Sequence, residues 1–191
     1  MVPERMEKLK LYTSLLYFWS SKMNLVARGD RKELITKHIM PALHMSSLIK
    51  AIPHSSIMDF GSGSGLPGIP LKIVFPEVNF ILLESRRKRA HFLREVIRRL
   101  ELKKIEVVNE RVEQYIKKSS GKVDLVVSRA TVGLENMINL VNPVLNSHGC
   151  IATFLNKDFR DMDLDVIRVL YKRRVMGKYS RSSLGLVALR T

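Results

Sequence analysis

A short apolar segment that leads straight into glycines constrains this fold more than any other feature. Ile57–Phe60 is followed by Gly61, Gly63 and Gly65, and two prolines come soon after them. Glycine allows a sharp turn and a close approach to the backbone because it has no Cβ. Proline is tolerated in the first turn of a helix, where no hydrogen bond is lost. The segment therefore predicts a buried strand, a tight loop and a helix.

The alternation of apolar and helical segments continues along the chain. Arg86–Leu100 is the clearest helix, with an apolar stripe opposite its arginines. Strands that are apolar throughout and alternate with helices indicate a parallel sheet covered on both faces. We therefore predict an α/β fold, a Rossmann-like, mostly parallel seven-stranded sheet with helices on both faces. The first five predicted strands are Ile57–Phe60, Phe80–Leu83, Ile105–Val108, Val123–Val127 and Cys150–Leu155. Two more fall within residues 169–190, and the second of these is Leu184–Leu189.

The first part of the chain has a different pattern. Leu9, Tyr12 and Leu16 recur at helical spacing, and this spacing returns after a polar break. We predict an N-terminal helical extension over residues 1–52 and a Rossmann-like domain over residues 53–191, which together form one compact unit.

Charge and composition narrow the class of partner. The 191 residues include 33 Lys and Arg against 18 Asp and Glu, a formal net charge of +15. A surface this basic favours polyanions, because each neutralised phosphate releases counterions. No apolar run approaches the roughly 20 residues that a membrane-spanning helix needs. The single cysteine, Cys150, allows neither an internal disulfide nor a cysteine-paired metal site. From charge, apolar runs and cysteine content together, we expect a cytoplasmic protein that binds nucleic acid, and neither a membrane nor a metal.

Glycine loops bind three kinds of nucleotide ligand, and the residues around the glycines distinguish them. A phosphate-binding P-loop needs a lysine after the last glycine, and none is present in register. A dinucleotide fingerprint, GxGxxG, would need glycine where Leu66 stands, which leaves this ligand as an alternative. Asp59 lies two residues before the first glycine, and this acid, or carbonyls of the loop, would suit a ligand with an ammonium group and no pyrophosphate. S-adenosylmethionine is such a ligand.

Glu84 is the matching acid on the second strand. It follows Phe80–Leu83 and comes about 20 residues after Gly65, the spacing of an acid that binds ribose hydroxyls. A carboxylate can accept hydrogen bonds from both hydroxyls at once. The alternative is a surface acid that pairs with Arg86 or Arg87.

Asp59–Leu71 resembles the signature of the RsmG (GidB) family of ribosomal RNA small-subunit methyltransferases. Other stretches agree with this family in order and spacing, and the similarity extends from near Tyr12 to near Asn156. These stretches are NLVARGD at Asn24–Asp30 with His38 after it, LLES with KRAHFLREV at Leu82–Val96, RVEQ at Arg111–Gln114 and VVSRA at Val126–Ala130. The continuation of the glycine motif through Pro-Gly-Ile-Pro, together with Ser-Arg-Ala, makes the resemblance specific.

The resemblance implies a class I S-adenosylmethionine-dependent methyltransferase that modifies N7 of one guanine in the decoding region of 16S ribosomal RNA. S-adenosylhomocysteine would be the second product. Matching positions imply that Gly61 and Leu66 line the cofactor and that Val112 and Glu113 meet its adenine. Arg129 would lie at the edge of the active site. Together with the residues argued above, the expected cofactor-binding set is Asp59, Gly61, Gly63, Gly65, Leu66, Glu84, Val112, Glu113 and Arg129.

The chain departs from the family pattern at three positions. Pro41 stands where the family usually has an acid, Asn156 where a lysine is common, and Glu84 where aspartate is usual. The first two positions bear on contacts with RNA, whereas the third keeps the carboxylate.

Arg129 is the candidate catalytic residue. Guanine N7 carries a lone pair and no proton, so a methyl transfer to it requires no general base. Alignment of the base with the methyl group is the larger demand, and arginine has the donor geometry for the N7 and O6 edge of guanine. The alternative is a structural arginine that pairs with Glu113 or Asp124.

Basic side chains form the predicted RNA-binding surface, and recognition would be mainly of phosphate and shape. The residues expected to contribute are Arg86, Arg87, Lys88, Arg89 and Arg181. We expect 16S ribosomal RNA or a small-subunit ribosomal particle as the partner of a monomeric protein. Two other functions stay open: methylation of a protein or a small molecule, and a non-catalytic RNA-binding role in ribosome assembly.

Overall fold

One seven-stranded sheet organises the residues that the computed structural model describes, which are 3–50, 52–119, 121–129, 134–155, 174–181 and 184–190. The strands are β1 (Ser56–Phe60), β2 (Asn79–Leu83), β3 (Ile105–Val108), β4 (Val123–Arg129), β5 (Leu145–Leu155), β6 (Arg174–Arg181) and β7 (Leu184–Arg190). The α-helices in these residues are α1 (Pro3–Ser20), α2 (Met40–Ile49), α3 (Gly68–Val74), α4 (Arg87–Arg99), α5 (Val112–Lys118) and α6 (Leu134–Val141). Shorter 3₁₀ turns lie at Arg28–Glu33 and Asn142–Val144, and a π turn lies at Ile35–Ile39.

The strand order is β3-β2-β1-β4-β5-β7-β6. The first five strands of this order pair in parallel, and β7 runs antiparallel to both β5 and β6. The predicted mostly parallel α/β class is therefore confirmed. The direction in which successive strands are added reverses between β1 and β4, and ligands of open α/β sheets bind outside the carboxyl ends of the strands at such a point.

The carboxyl ends of the central strands lie in one row. Phe60 of β1 pairs with Leu83 of β2 on one side and with Ser128 of β4 on the other. Leu83 pairs in turn with Val108 of β3, and Ser128 pairs with Thr153 of β5. The residues that follow each of these positions therefore emerge at the same edge of the sheet.

Strand β5 begins earlier than the sequence pattern predicts. It starts at Leu145 and not at Cys150. Leu145 pairs with Val123 of β4, and a register shift separates this pair from the regular pairing that begins at Leu125 and Cys150. The prediction missed the first half because residues 146–149 are polar or glycine, and pairing with β4 extends the strand where hydrophobicity does not mark it.

Alternate residues of the central strands face two separate apolar layers. Met58 and Val126 lie in one core with residues of α5 and α6, whereas Ile57 and Leu125 lie in the other with residues of α2 and α3. All four side chains are fully buried. Burial on both faces explains why these strands are apolar at every position and do not alternate with polar residues.

The N-terminal helix shares its core with the sheet domain. Leu9, Tyr12 and Leu16 of α1 pack in one cluster with Ile69 of α3 and Leu93 of α4. All five are buried, so α1 lies over α3 and α4 as part of the same apolar layer. The boundary between residues 52 and 53 stays a prediction. Within the described ranges, no helix combines the length and the apolar character that crossing a membrane requires.

Gly68, the first residue of α3, has no room for a side chain. Its N–H donates to Asp59 Oδ2 at 2.9 Å, and a Cβ would overlap this carboxylate and lie 2.7 Å from Leu82 Cδ2. We expect Gly68→Ala to lower the free energy of unfolding, measured in urea, by about 1–3 kcal/mol, as overpacking does. Gly29→Ala is the matched control, because nothing lies within 4 Å of a Cβ at that position. Equal losses of stability in the two variants would contradict this packing.

Candidate active site

The loop after β1 turns on glycines in left-handed conformations. Gly61, Gly63 and Gly65 have φ angles of +70°, +56° and +86°. Residues with a Cβ adopt this region at a cost of about 1–2 kcal/mol each. A Cβ at Gly65 would also lie 2.6 Å from Ile69 Cγ1. The backbone of this loop therefore requires glycine at alternate positions, as the sequence motif has it.

Two neighbouring elements fix the loop in place. The backbone N–H groups of Gly61 and Ser62 both donate to the carbonyl of Leu83, each at 3.0 Å. On the other side, the hydroxyl of Tyr12 donates to the carbonyl of Ser64 at 2.8 Å. Tyr12 is fully buried. The sequence pattern identified Tyr12 only as a core residue of a helix, and its contact with the loop is a finding of the structure.

Glu84 lies against the glycine loop and is not a surface acid. Its side chain is buried, with 4% of the residue exposed. One carboxylate oxygen accepts from the backbone N–H of Gly63 at 2.8 Å, and the other accepts from the backbone N–H of Arg86 at 2.7 Å. The alternative, a pairing with the side chain of Arg86 or Arg87, is therefore wrong. A carboxylate has about four acceptor positions, so two remain for other donors.

A cleft of about 510 Å³ opens beside this carboxylate. Its volume suits a small ligand. It brings together four predicted cofactor-binding residues: Gly61, Glu84, Val112 and Glu113. The other residues that line it are Phe60, Leu83, Ser85, Arg86, Arg89, Glu110, Arg111 and Leu140.

Asn109 is a residue of this edge that the sequence analysis did not select. It follows β3, and its side-chain amide donates to the carbonyl of Glu84 at 2.8 Å. The backbone N–H of Glu84 donates in turn to the carbonyl of Val108 at 3.0 Å. Position alone could have indicated Asn109, because a polar residue directly after a buried parallel strand lies at the ligand edge.

Asp59 connects the end of β1 to the first residue of α3, across the glycine loop. It is fully buried, and its Oδ2 accepts from the N–H of Gly68. Its Oδ1 has no hydrogen-bond partner among the described residues. Burial raises the pKa of this carboxyl to about 7, against the lowering effect of the hydrogen bond that it accepts from Gly68. Leu66 is also buried; the cofactor-binding roles of Asp59 and Leu66 stay predictions.

Arg129 ends β4 and contacts the N-terminal part of the chain. Its Nη1 lies 2.5 Å from Nδ1 of His38, and its Nη2 donates to the carbonyl of Lys37 at 3.3 Å. Burial lowers the pKa of Arg129. The alternative pairing with Glu113 or Asp124 is therefore wrong, since the partners of the guanidinium are His38 and Lys37. Asp124 instead accepts hydrogen bonds near the start of β4, from Ser55, Ser56 and Asn146.

The predicted RNA-binding residues beside the cleft are accessible. Arg86, Arg87 and Lys88 are exposed. Arg89 is half-buried, and its guanidinium donates to the carbonyl of Asn24 at 3.1 Å. Contacts of these residues with RNA stay predictions. Two other positions from the sequence analysis lie elsewhere: Arg181 ends β6 and its side chain is outside the described part, and Asn156 is outside the described residues.

A larger groove of about 1880 Å³ lies between α1 and α2. It contains none of the predicted cofactor-binding residues, and its wall is mainly apolar, with Met6, Leu9, Ile39, Met40 and Leu43 among the lining side chains. The smaller cleft is the better candidate for chemistry, because buried polar groups converge on it at the switch point of the sheet.

Comparison with known proteins identifies the family. The family model described as rRNA small subunit methyltransferase G (GidB) matches residues 5–173. This chain belongs to the rRNA small subunit methyltransferase G family. Ribosomal RNA small subunit methyltransferase G from Lachnoclostridium phytofermentans is 38% identical over 147 residues, which are 76% of this chain and 61% of that protein. The protein of the same name from Acetivibrio thermocellus is 39% identical over 162 residues, 84% of this chain and 66% of that protein.

This member of the rRNA small subunit methyltransferase G family thus spans 61% to 66% of the length of these two curated relatives. Solved structures share its fold at much lower identity. Precorrin-6y C5,15-methyltransferase from Geobacter metallireducens superposes with a TM-score of 0.59 at 17% identity, covering 84% of this chain and 92% of that one. An O-methyltransferase family protein from Burkholderia thailandensis gives 0.58 at 12% identity, covering 80% and 56%. These likenesses support the class I methyltransferase fold.

The raised pKa of Asp59 predicts a pH-dependent effect of Asp59→Asn. The stability that the neutral carboxyl provides is fully present below the usual carboxyl pKa and is lost as the pH rises through about 7. Asparagine keeps an acceptor for Gly68 and does not ionise. We expect the variant to gain stability relative to the wild type between pH 5 and pH 8, measured by urea unfolding at each pH. A stability difference that is the same at both pH values would exclude a buried carboxyl that titrates near neutrality.

Proposed function

We propose that this chain transfers the methyl group of S-adenosylmethionine to N7 of a guanine in the decoding region of 16S ribosomal RNA. The observation that carries the proposal is Glu84, a buried carboxylate that lies against the glycine loop at a cleft of about 510 Å³. Membership of the rRNA small subunit methyltransferase G family supports ribosomal RNA as the substrate.

The side chains and backbone at the cleft suit a sulfonium nucleoside. Glu84 would accept from the two ribose hydroxyls with the acceptor positions that Gly63 and Arg86 leave free. Val112 and Glu113, at the start of α5, line the same cleft and would meet the adenine. When bound, S-adenosylmethionine supplies an electrophilic methyl group.

Arg129 would orient the target base. Arg129 follows Ser128 at the end of β4, so its backbone lies at the edge of the sheet from which Gly61 and Glu84 also emerge. From there the guanidinium would reach the base. Arginine donates well to the N7 and O6 edge of guanine, and a donor to O6 leaves the N7 lone pair free for the methyl group. Because N7 carries no proton, the chain needs no general base for the transfer, and alignment can contribute about 7–11 kcal/mol to the rate enhancement.

The charge of the chain supports RNA as the macromolecular substrate. Arg86, Arg87 and Lys88 are exposed next to the cleft, and the net charge of +15 favours a polyanion. The target base would be flipped out of a structured RNA toward the cleft. In this proposal the protein acts as a monomer in the cytoplasm on naked RNA or on a small-subunit particle.

The test of the proposal is incubation of the full chain with radiolabelled S-adenosylmethionine and small-subunit particles from cells that lack the modification, with naked 16S ribosomal RNA in parallel. We expect label in RNA, and chemical cleavage at 7-methylguanosine should map it to one nucleotide of the decoding region. Label on protein would favour a protein methyltransferase. No binding of S-adenosylmethionine at millimolar concentration would leave only a non-catalytic RNA-binding role.

Glu84→Gln tests the cofactor site alone. Glutamine keeps one acceptor for a backbone N–H but lacks the second carboxylate oxygen. We expect the affinity for S-adenosylhomocysteine, measured by calorimetry, to fall about tenfold or more, since hydrogen bonds to a charged acceptor are worth about 1.5–3 kcal/mol. Glu106→Gln, which changes an exposed acid on β3, is the control and should bind as the wild type does. Equal affinities in a folded Glu84→Gln protein would remove Glu84 from the site.

Arg129→Ala tests the base-binding role. We expect kcat for methyl transfer to fall about 10²-fold, as on loss of one preorganised donor, while the affinity for RNA in filter binding changes little. Arg99→Ala is the control, because Arg99 is exposed and pairs with Glu95 on α4. A uniform loss of RNA affinity with kcat intact would make Arg129 a phosphate contact.

A further inference from the structure

Two acceptors from a single turn hold the guanidinium of Arg129. Nδ1 of His38 lies 2.5 Å from Nη1, and the carbonyl oxygen of Lys37 accepts from Nη2 at 3.3 Å. Both residues belong to the π turn Ile35–Ile39, far from Arg129 in sequence. The two contacts use two of the five N–H groups of the guanidinium, so they fix its plane and leave the others for a substrate.

Pro41 removes the backbone donor that an α-helix would supply to the carbonyl of Lys37. In an α-helix each carbonyl accepts from the N–H four residues later, and the residue four positions after Lys37 is Pro41, which has no N–H. The preceding helical bond follows the wider π pattern, since the N–H of Met40 donates to the carbonyl of Ile35. The carbonyl of Lys37 thus lacks its α-helical donor, and it accepts from Arg129.

His38 accepts from Arg129 only in its neutral form. Because Nδ1 is the acceptor, the ring proton belongs on Nε2, which faces Asp30 Oδ2 at 3.3 Å. His38 is buried, and burial together with the charge of Arg129 lowers its pKa to about 4. The charged groups that face it are Arg129, Asp30 and Lys37, and Lys37 forms ion pairs with Asp30 and Glu33.

We propose that His38 and the Lys37 carbonyl, freed by Pro41, form a clamp that sets the orientation of Arg129 toward the RNA base. The inference rests on the proposed function, and it makes His38 and Pro41 positioning residues. Both acceptors of the clamp are uncharged, so they orient the guanidinium without neutralising it. A carboxylate partner would neutralise the guanidinium, and it would compete with the electron-rich edge of the base for the positive charge of Arg129.

A matched pair of amide variants tests the role of His38. The oxygen of His38→Asn stands where Nδ1 stands, whereas the longer side chain of His38→Gln places its amide at the position of Nε2. We expect kcat for methyl transfer to fall about tenfold or more in His38→Gln, as on loss of a hydrogen bond to a charged group, and to stay near the wild-type value in His38→Asn. KM for RNA and the affinity for S-adenosylhomocysteine should be unchanged in both variants. Equal values of kcat in the two variants would overturn the clamp.

Pro41→Ala separates positioning from stability. Alanine restores the backbone N–H that an α-helical register directs at the Lys37 carbonyl, where it would compete with Arg129. Alanine is also a better helix former than proline. We expect a thermal midpoint at or above that of the wild type together with a lower kcat. A variant with unchanged kcat, or one in which kcat falls only in proportion to a loss of folded protein, would contradict the role of Pro41.

Nitrogen NMR of ¹⁵N-histidine-labelled protein reads the clamp without cofactor or RNA. We expect His38 in the Nε2–H tautomer and still neutral at pH 5.5, and we expect Arg129→Met to raise its pKa because a neighbouring positive charge is removed. An Nδ1–H tautomer would overturn the clamp. Wild-type protein that shows the expected tautomer but methylates no RNA would overturn the proposed function and the positioning role with it, while the contact itself would stand.

Discussion

Two backbone N–H groups of the glycine loop, those of Gly61 and Ser62, share the carbonyl of Leu83 at the end of β2, and the rest of the site is placed from this junction. Glu84 follows Leu83 directly, so its carboxylate reaches the N–H of Gly63 in the same loop. The loop and the acid therefore form one hydrogen-bonded unit and not two independent motifs. The junction itself exists because β1 and β2 are parallel and in register up to Phe60 and Leu83, which brings both strand ends to the same edge of the sheet.

The N-terminal extension completes the site from the opposite side. Tyr12 of α1 donates to the loop at Ser64, and the π turn supplies the acceptors for Arg129. The carbonyl of Asn24 accepts from Arg89 at the start of α4. A segment that the sequence presents as a separate helical region thus contacts the loop, the candidate base-binding arginine and one of the basic residues at the cleft. The apolar packing of α1 on α3 and α4 is what holds these polar contacts in register.

Burial controls the charge of two titratable side chains, Asp59 under the glycine loop and His38 beside Arg129. It raises the pKa of Asp59 to about 7 and lowers that of His38 to about 4, so it disfavours the charged form of each. The two shifts have opposite consequences for stability. Between pH 4 and 7, a rising pH lowers the contribution of Asp59 to the free energy of unfolding and raises that of His38. The two effects therefore partly cancel in the stability of the whole protein. Burial also lowers the pKa of Arg129, which lies against His38.

The sequence by itself determined the parallel α/β class, the glycine loop, the acid at the end of β2 and the family, because these depend on backbone preferences and burial patterns within a few neighbouring residues. Only the tertiary structure decided the partners of Arg129 and Tyr12 and the earlier start of β5. Glu113 and Asp124, the alternative partners of Arg129, were plausible by charge alone, but a histidine and a carbonyl contact its guanidinium. Local periodicity carries no information about which distant turn packs over a sheet edge. That choice follows from how α1 and the π turn bury their apolar side chains against α3 and α4.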